Sequence, residues 1–132
     1  MGSKKILLGD DEEEVTRILA KRLGRRGYVC TSAANGQLAL DAMQQEAYSV
    51  VIMDVKMPVM DGMSALQKIH QHWPETQVIL LSGHADMQLA VQAMSEGAFG
   101  YLMKPVDLDE LLFKIEDAAT QRRLEAEQGG VN

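Results

Sequence analysis

The sequence predicts an α/β fold: a three-layer, doubly wound (βα)5 arrangement with a parallel five-stranded sheet between two layers of helices. Three observations predict it. Five short apolar runs recur along the 132 residues, and a longer stretch with helical spacing follows each one. The runs are apolar without alternation, as strands are when helices cover both faces of their sheet. Strand and helix also take turns in order, which is what parallel neighbours need for their crossovers.

The first run, Ile6–Leu8, leads into Val15, Ile18, Leu19 and Leu23, spaced i, i+3, i+4, i+8 and ended by Gly24. The second, Tyr28–Cys30, is followed by Asn35-Gly36 and then by Leu38, Ala42 and Met43. The third, Val50–Met53, precedes Leu66, Ile69 and Trp73, closed by Pro74. Val78–Leu81 precedes Met87, Ala90, Val91 and Met94, closed by Gly97. Tyr101–Met103 precedes Leu108, Leu111, Leu112 and Ile115, opened by Asp107 with Glu110 three residues on, a capping-box pattern with Asp as the cap.

A chain of this length is most simply one domain, large enough to bury a core without disulfides or a structural metal. The expected layout is a start at 1–4 that is disordered or left by cloning, a domain over 5–120, and a polar segment 121–132 that extends the last helix or begins a linker. With 19 acidic and 13 basic residues the net charge is −6, against the positive face that nucleic acid or a membrane surface demands. Cys30 is the single cysteine, so an internal disulfide is impossible and a reducing cytoplasm fits. No apolar run reaches the roughly 18–20 residues of a membrane span.

The polar residues collect at strand ends. Strand one ends in Gly9-Asp10-Asp11, strand three in Asp54, strand four in Ser82 and strand five in Lys104. A parallel sheet puts these ends along one edge, the edge where open α/β sheets bind ligands. Any single Asp or Ser there reads as a helix cap; three carboxylates, a hydroxyl and an ammonium together do not. Two like charges about 4 Å apart cost about 1–4 kcal/mol, so the cluster must raise a pKa, pair with Lys104 or bind a cation. Oxygen ligands suit a hard ion such as Mg²⁺. Zinc is disfavoured, because His70, His72 and His84 have no cysteine partners or ligand spacing. A carboxylate beside a cation and an ammonium is a nucleophile toward phosphorus, and Asp54 is the best candidate.

Four segments, "ILLGDDE" (6–12), "VVIMDVKMPVMDG" (50–62), "VILLSGHAD" (78–86) and "GAFGYLMKP" (97–105), resemble the CheY-like receiver domain of bacterial two-component response regulators, from about Lys5 to Ala119. The resemblance implies the flavodoxin-like strand order 2-1-3-4-5. It implies that Asp54 accepts a phosphoryl group from a histidine kinase. Asp10 and Asp11 match the pair that holds Mg²⁺, Asp11 directly and Asp10 through water, and Lys56 would lend its backbone carbonyl. Ser82 and Lys104 match the hydroxyl and ammonium that contact the phosphoryl group, Tyr101 the aromatic switch, and Lys104-Pro105 a peptide bond that is usually cis. Lys56 and His84 match positions that tune phosphoryl lifetime. Gly9 departs from the pattern, since a β-branched residue is common there, and is expected to loosen the strand end.

The resemblance further implies that phosphorylation moves helix four and strand five, making helix four, strand five and helix five the output surface. Met87, Met94 and Met103 are candidates to line it, although the i, i+7 spacing of Met87 and Met94 favours a place in the core. Implied partners are a sensor kinase and an output domain or downstream protein, with a homodimer possible and no direct nucleic-acid or membrane contact. The domain would act on no other substrate, catalysing only its own phosphoryl transfer and dephosphorylation. An aspartyl-nucleophile phosphatase would need a second aspartate where Lys56 stands, and a flavin domain an anion-friendly loop where the acidic run 10–14 stands. The remaining rival is a degenerate receiver that binds proteins without phosphorylation. The charged end from Gln121 and the opening Met1-Gly2-Ser3 favour excision from a longer regulator, a transcriptional activator by preference.

Overall fold

The computed structural model describes residues 4–83 and 86–129, side chains at 122, 123 and 125–129 excepted. Five strands, β1 (Lys5–Gly9), β2 (Val29–Ala33), β3 (Val50–Asp54), β4 (Gln77–Ser82) and β5 (Gly100–Met103), alternate with five helices: α1 (Glu13–Gly24), α2 (Gly36–Gln45), α3 (Gly62–His72), α4 (Met87–Ser95) and α5 (Leu108–Gly129). The strands pair in parallel in the order β2-β1-β3-β4-β5. Lys4 already belongs to the fold, its carbonyl accepting from Val29 N–H at 2.9 Å. At the other end α5 runs to Gly129, so the polar segment continues the helix. Met1–Ser3, His84 and residues 130–132 lie outside the described residues.

Both faces of the sheet are apolar because each strand divides its side chains between two cores. Leu7, Val51, Met53, Val78 and Leu80 point one way, onto Ala39, Met43, Leu66, Ile69 and Ala93 of α2, α3 and α4. Ile6, Leu8, Val50, Ile52, Ile79 and Leu81 point the other way, onto Leu23, Leu111, Ile115 and Ala118 of α1 and α5. The hidden period of two is therefore present, masked by burial on both sides. Helix starts use the expected chemistry: the side chains of Asn35, Asp61 and Asp86 accept from the N–H groups of Leu38, Ser64 and Leu89. Asp107 does the same for Asp109 and Glu110.

Three expectations need correction. β2 lies one residue later than its apolar run and extends through Thr31 and Ser32, because an edge strand with half-exposed faces needs no apolar core. In α2 the buried face is Ala39, Leu40 and Met43, whereas Leu38 is 48% exposed. In α4 the core face is Ala93 with half-buried Leu89 and Ala90; Met87 is 78% exposed and Met94 48%, so neither is a core residue. Alanines pack closely against the sheet, and the bulkier apolar residues on the opposite face are left in solvent.

Gly9 does not loosen β1. A Cβ there would meet Met53 Cγ at 2.9 Å and Met57 Sδ at 3.5 Å, so the space that a β-branched residue would take is filled by two methionines flanking the end of β3. Burial pushes the Cys30 thiol up to about 11, which keeps it protonated at neutral pH. In a denaturation double-mutant cycle, Gly9→Val and Met53→Val are expected to couple by at least about 0.5 kcal/mol, each relieving the other. Strict additivity would mean that Gly9 is not making room for Met53.

Candidate functional site

The C-terminal ends of β1, β3, β4 and β5 meet as the sequence predicts. Asp54 is the last residue of β3 and is 8% exposed; Asp10 follows β1 and is 6% exposed. Each loop leaves the sheet tied to its neighbour: Asp10 N–H donates to Ala33 O at 3.0 Å, Val55 N–H to Leu81 O at 2.8 Å, and Lys104 N–H to Ser82 O at 2.8 Å. These bonds fix the backbone from which every functional side chain springs. The Lys104–Pro105 peptide bond is cis, as the resemblance implies.

Two nearly buried carboxylates need a counter-charge, and Lys104 supplies it. Its Nζ donates to Asp54 Oδ2 at 2.7 Å and to Asp10 Oδ2 at 2.8 Å, and stands 3.8 Å from Glu12 Oε1. Burial alone would pull the Lys104 pKa down; the hydrogen bonds and charges of Asp10 and Asp54 outweigh it and hold the ammonium above the ordinary lysine value. Asp54 Oδ1 accepts from Lys56 N–H at 3.2 Å, and Asp10 Oδ1 from Glu12 N–H at 2.9 Å. Both carboxylates are thus oriented by backbone on one side and by Lys104 on the other.

Among the described residues, the carboxylates whose oxygens lie within 4.8 Å of one another are those of Asp10, Glu12 and Asp54. An oxygen-only set of this kind fits a hard divalent cation. Glu12 was not singled out in the sequence; its one signal is its place in the acidic run after β1 that opens α1. Asp11 is exposed and stands outside this group, facing with Lys56 a depression of about 460 Å³ over the loop after β3. Ser82 is 3% exposed at the end of β4, in register with Met103. His70 rests against Gly97 and His72 packs edge-on against Trp73 at 5.9 Å, so both are locally structural.

The loop that carries Lys56 is tightly built. Met60 N–H donates to Pro58 O at 2.7 Å around Val59, whose φ is 67°: a γ-turn of the strained hand, at a β-branched residue. Met60 O in turn accepts from Gly36 N–H at 2.8 Å, clamping the turn onto the start of α2. A Cβ at Gly36 would run into that carbonyl, and one at Gly62 into the carbonyl of Asp54, so both positions admit only glycine.

Residues 6–116 match the family described as response regulator receiver domain. The chain belongs to that family. This receiver domain is 38% identical over 123 residues to the regulatory protein AtoC of Escherichia coli K12, covering 93% of the chain and 27% of AtoC. It is 38% identical to the DNA-binding transcriptional regulator NtrC of Proteus hauseri, over 86% of the chain and 24% of NtrC. It therefore spans about a quarter of the length of these curated relatives. Among solved structures, a receiver domain from Clostridium thermocellum superposes with a TM-score of 0.87 at 36% identity, covering 91% of this chain and 97% of that one. A beryllofluoride-activated NtrC4 receiver domain dimer gives 0.86 at 31% identity, covering 90% and 98%.

Tyr101 of the receiver domain packs against the core on the α2–α3–α4 side of the sheet, while its hydroxyl is buried without a hydrogen-bond partner among the described residues. Such an orphan costs about 1–3 kcal/mol. Tyr101→Phe is therefore expected to raise the thermal midpoint by about 3–5 °C; a lowered midpoint would show that the hydroxyl is satisfied. Val59 is 84% exposed, so replacing it loses no core contact. Val59→Gly should gain about 0.5–1 kcal/mol in urea unfolding, the left-handed penalty of about 1–2 kcal/mol less the added freedom of the unfolded glycine. No gain would mean that the turn is unstrained.

Proposed function

We propose that this receiver domain takes a phosphoryl group on Asp54 from the phosphohistidine of a sensor histidine kinase and thereby switches the α4–β5–α5 face that controls an output domain or partner. The observation that carries this reading is the single ammonium, Lys104 Nζ, bonded at 2.7–2.8 Å to both the acceptor Asp54 and Asp10. In the step, an Asp54 carboxylate oxygen forms the new P–O bond, the P–N bond to the kinase histidine breaks, and the imidazole leaves with the electron pair. Lys56 N–H holds one Asp54 oxygen in place, and Lys104 passes from the carboxylate pair to a phosphoryl oxygen as negative charge builds there. Mg²⁺, when bound, would supply the remaining charge neutralisation; Asp10, Asp54 and Glu12, whose oxygens already lie together, and the Lys56 carbonyl would hold it, and Asp11 would have to turn inward to join them.

Ser82 then turns its hydroxyl to the phosphoryl group and Tyr101 follows it inward. The domain acts on no substrate beyond its own phosphorylation and dephosphorylation. The face it switches carries Met87, Val91, Met94, Met103 and Phe113, all more than 40% exposed. Apolar side chains in such number suit a protein partner, either an output domain like those of the longer NtrC-type relatives or a second copy, as in the NtrC4 dimer. Control of transcription in the cytoplasm is the output this reading assigns, supported by relatives that include a DNA-binding transcriptional regulator; no described helix is long and apolar enough to cross a membrane. A phosphorylation-independent binding module is the weaker reading, because it has no use for Asp10, Asp54, Ser82 and Lys104 together.

Incubation with Mg²⁺ and acetyl phosphate should add the mass of one phosphate, and Asp54→Asn should abolish the addition. Phosphate uptake that survives in Asp54→Asn would put the acceptor elsewhere and overturn the assignment; uptake that never occurs in the parent chain would leave the binding-module reading standing.

A further inference from the structure

We propose that α4 turns as a lever about a pivot at its C-terminal end, built by Gln67 and His70 of α3 against Glu96 and Gly97. The proposal deepens the switching reading and rests on it for its trigger, but the pivot is a property of the unphosphorylated chain. The two ends of α4 are held very differently. At the C-terminal end, Gly97 N–H donates to Met94 O at 3.2 Å and Ala98 N–H to Ala93 O at 3.0 Å, with Gly97 at φ 101°, a Schellman closure. Ala93 and Ala98, the two residues that this closure brings together, are both buried in the core.

Side chains of α3 lock that closure from outside. Gln67 Nε2 donates to Glu96 Oε2 at 3.0 Å, while Gln92 Nε2 reaches Glu96 Oε1 at 3.4 Å, so Glu96 joins the two helices. The His70 imidazole lies so close to Gly97 that a Cβ there would meet its Nδ1 at 2.6 Å. Glycine thus serves twice, for the left-handed turn and for the ring that rests on it.

The N-terminal end has the Asp86 cap, exposed Met87 and Gln88, and half-buried Leu89 and Ala90 as its contact with the body. Ala93 is the one fully buried residue of the helix. Among the described residues this end is the more lightly held, and it is the end nearest Ser82, where the phosphoryl group would be felt. A helix of nine residues is about 13 Å long, so a tilt of about 15° about the last turn carries the first turn by about 3 Å. Met87 and Val91 would move while Met94 stays near the axis. Because α3 begins at Gly62, against the carbonyl of Asp54, the pivot stands on a helix that is itself seated on the acceptor.

Amide hydrogen exchange on the 132-residue chain tests this, corrected for intrinsic rates. In the unmodified chain Ala98 N–H should exchange at least about tenfold more slowly than Ala90 N–H, which donates to Asp86 O in the first turn. Gln67→Ala should speed Ala98 by about fivefold, the scale of one net hydrogen bond, and leave Ala90 unchanged. Beryllofluoride should alter Ala90 and spare Ala98. Equal rates at the two amides, an inert Gln67→Ala, or a beryllofluoride response as large at Ala98 as at Ala90 overturns the pivot. Failure of Asp54 to bind beryllofluoride, read separately by ¹⁹F NMR, counts against the phosphoacceptor reading and leaves the first two measurements to decide the pivot.

Discussion

Asp10 and Asp54 are nearly buried side by side at the edge of a sheet, and two like charges brought together there need a cation between them. The ammonium of Lys104 bonds to both carboxylates. Its backbone N–H is bonded to the carbonyl of Ser82, so the residue that balances the acceptor's charge is also joined to the residue that would sense its modification. The strand order makes this possible. β3 lies between β1 and β4, and β5 lies beyond β4, so a side chain as long as lysine can cross from the sheet's far strand to the centre. A cation on a shorter side chain there would not reach both Asp10 and Asp54, which Lys104 Nζ holds at 2.8 and 2.7 Å.

The loop after β3 shows the other side of the same constraint. Asp54 has to present its carboxylate outward from a strand whose other members are all buried, and the chain must then turn back at once into α3. Glycines at 36 and 62 let carbonyls of this loop and of Asp54 approach helix starts where no side chain would fit, and the turn at Val59 takes up the remaining bend. Backbone strain of this kind persists only when the surroundings over-determine it. Here the Gly36 to Met60 bond does so, joining α2 to the acceptor loop much as Gly62 joins α3.

The fold and the strand-end residues were legible in the sequence because they follow from short-range rules. Apolar runs without alternation mark doubly covered strands, and Asn35, Asp61, Asp86 and Asp107 mark helix starts where the structure has them. Helix phase was not legible in α2 and α4. Both carry apolar residues around most of their circumference, so periodicity allows Leu38 or Ala39, and Met87 or Ala93, to face inward, and the choice depends on how closely the helix must approach the sheet. The grouping of Glu12 with Asp10 and Asp54, in place of Asp11, was equally hidden. Asp10, Asp11 and Glu12 are neighbours in one acidic run between β1 and α1, and which of them faces Asp54 depends on how the connecting loop turns. At Gly9 the missing information was a partner forty-four positions away in sequence, Met53, whose side chain takes the space that the glycine gives up.

A phosphoryl group has limited free energy to spend on rearranging such a domain. Shifting a two-state equilibrium from 1:99 to 99:1 takes about 5.5 kcal/mol of differential interaction. Charge-assisted hydrogen bonds contribute about 1.5–3 kcal/mol each, and Lys104 brings only the difference between its new partner and the two carboxylates it already holds. The element that responds must therefore be one whose two placements are nearly equal in energy. α4 meets that condition better than its neighbours: it contributes one fully buried residue to the core, against four each from α2 and α3. Of its larger apolar side chains Met87, Val91 and Met94 are already in water and only Leu89 is half-buried, so moving the helix removes little burial. The buried hydroxyl of Tyr101, without a partner among the described residues, would narrow the gap from the other side, because any packing that gives it an acceptor recovers part of its desolvation cost. Under the proposed phosphorylation, a helix that gives one fully buried residue to the core is the element through which a change of about two charges at Asp54 would be felt on the far side of β5.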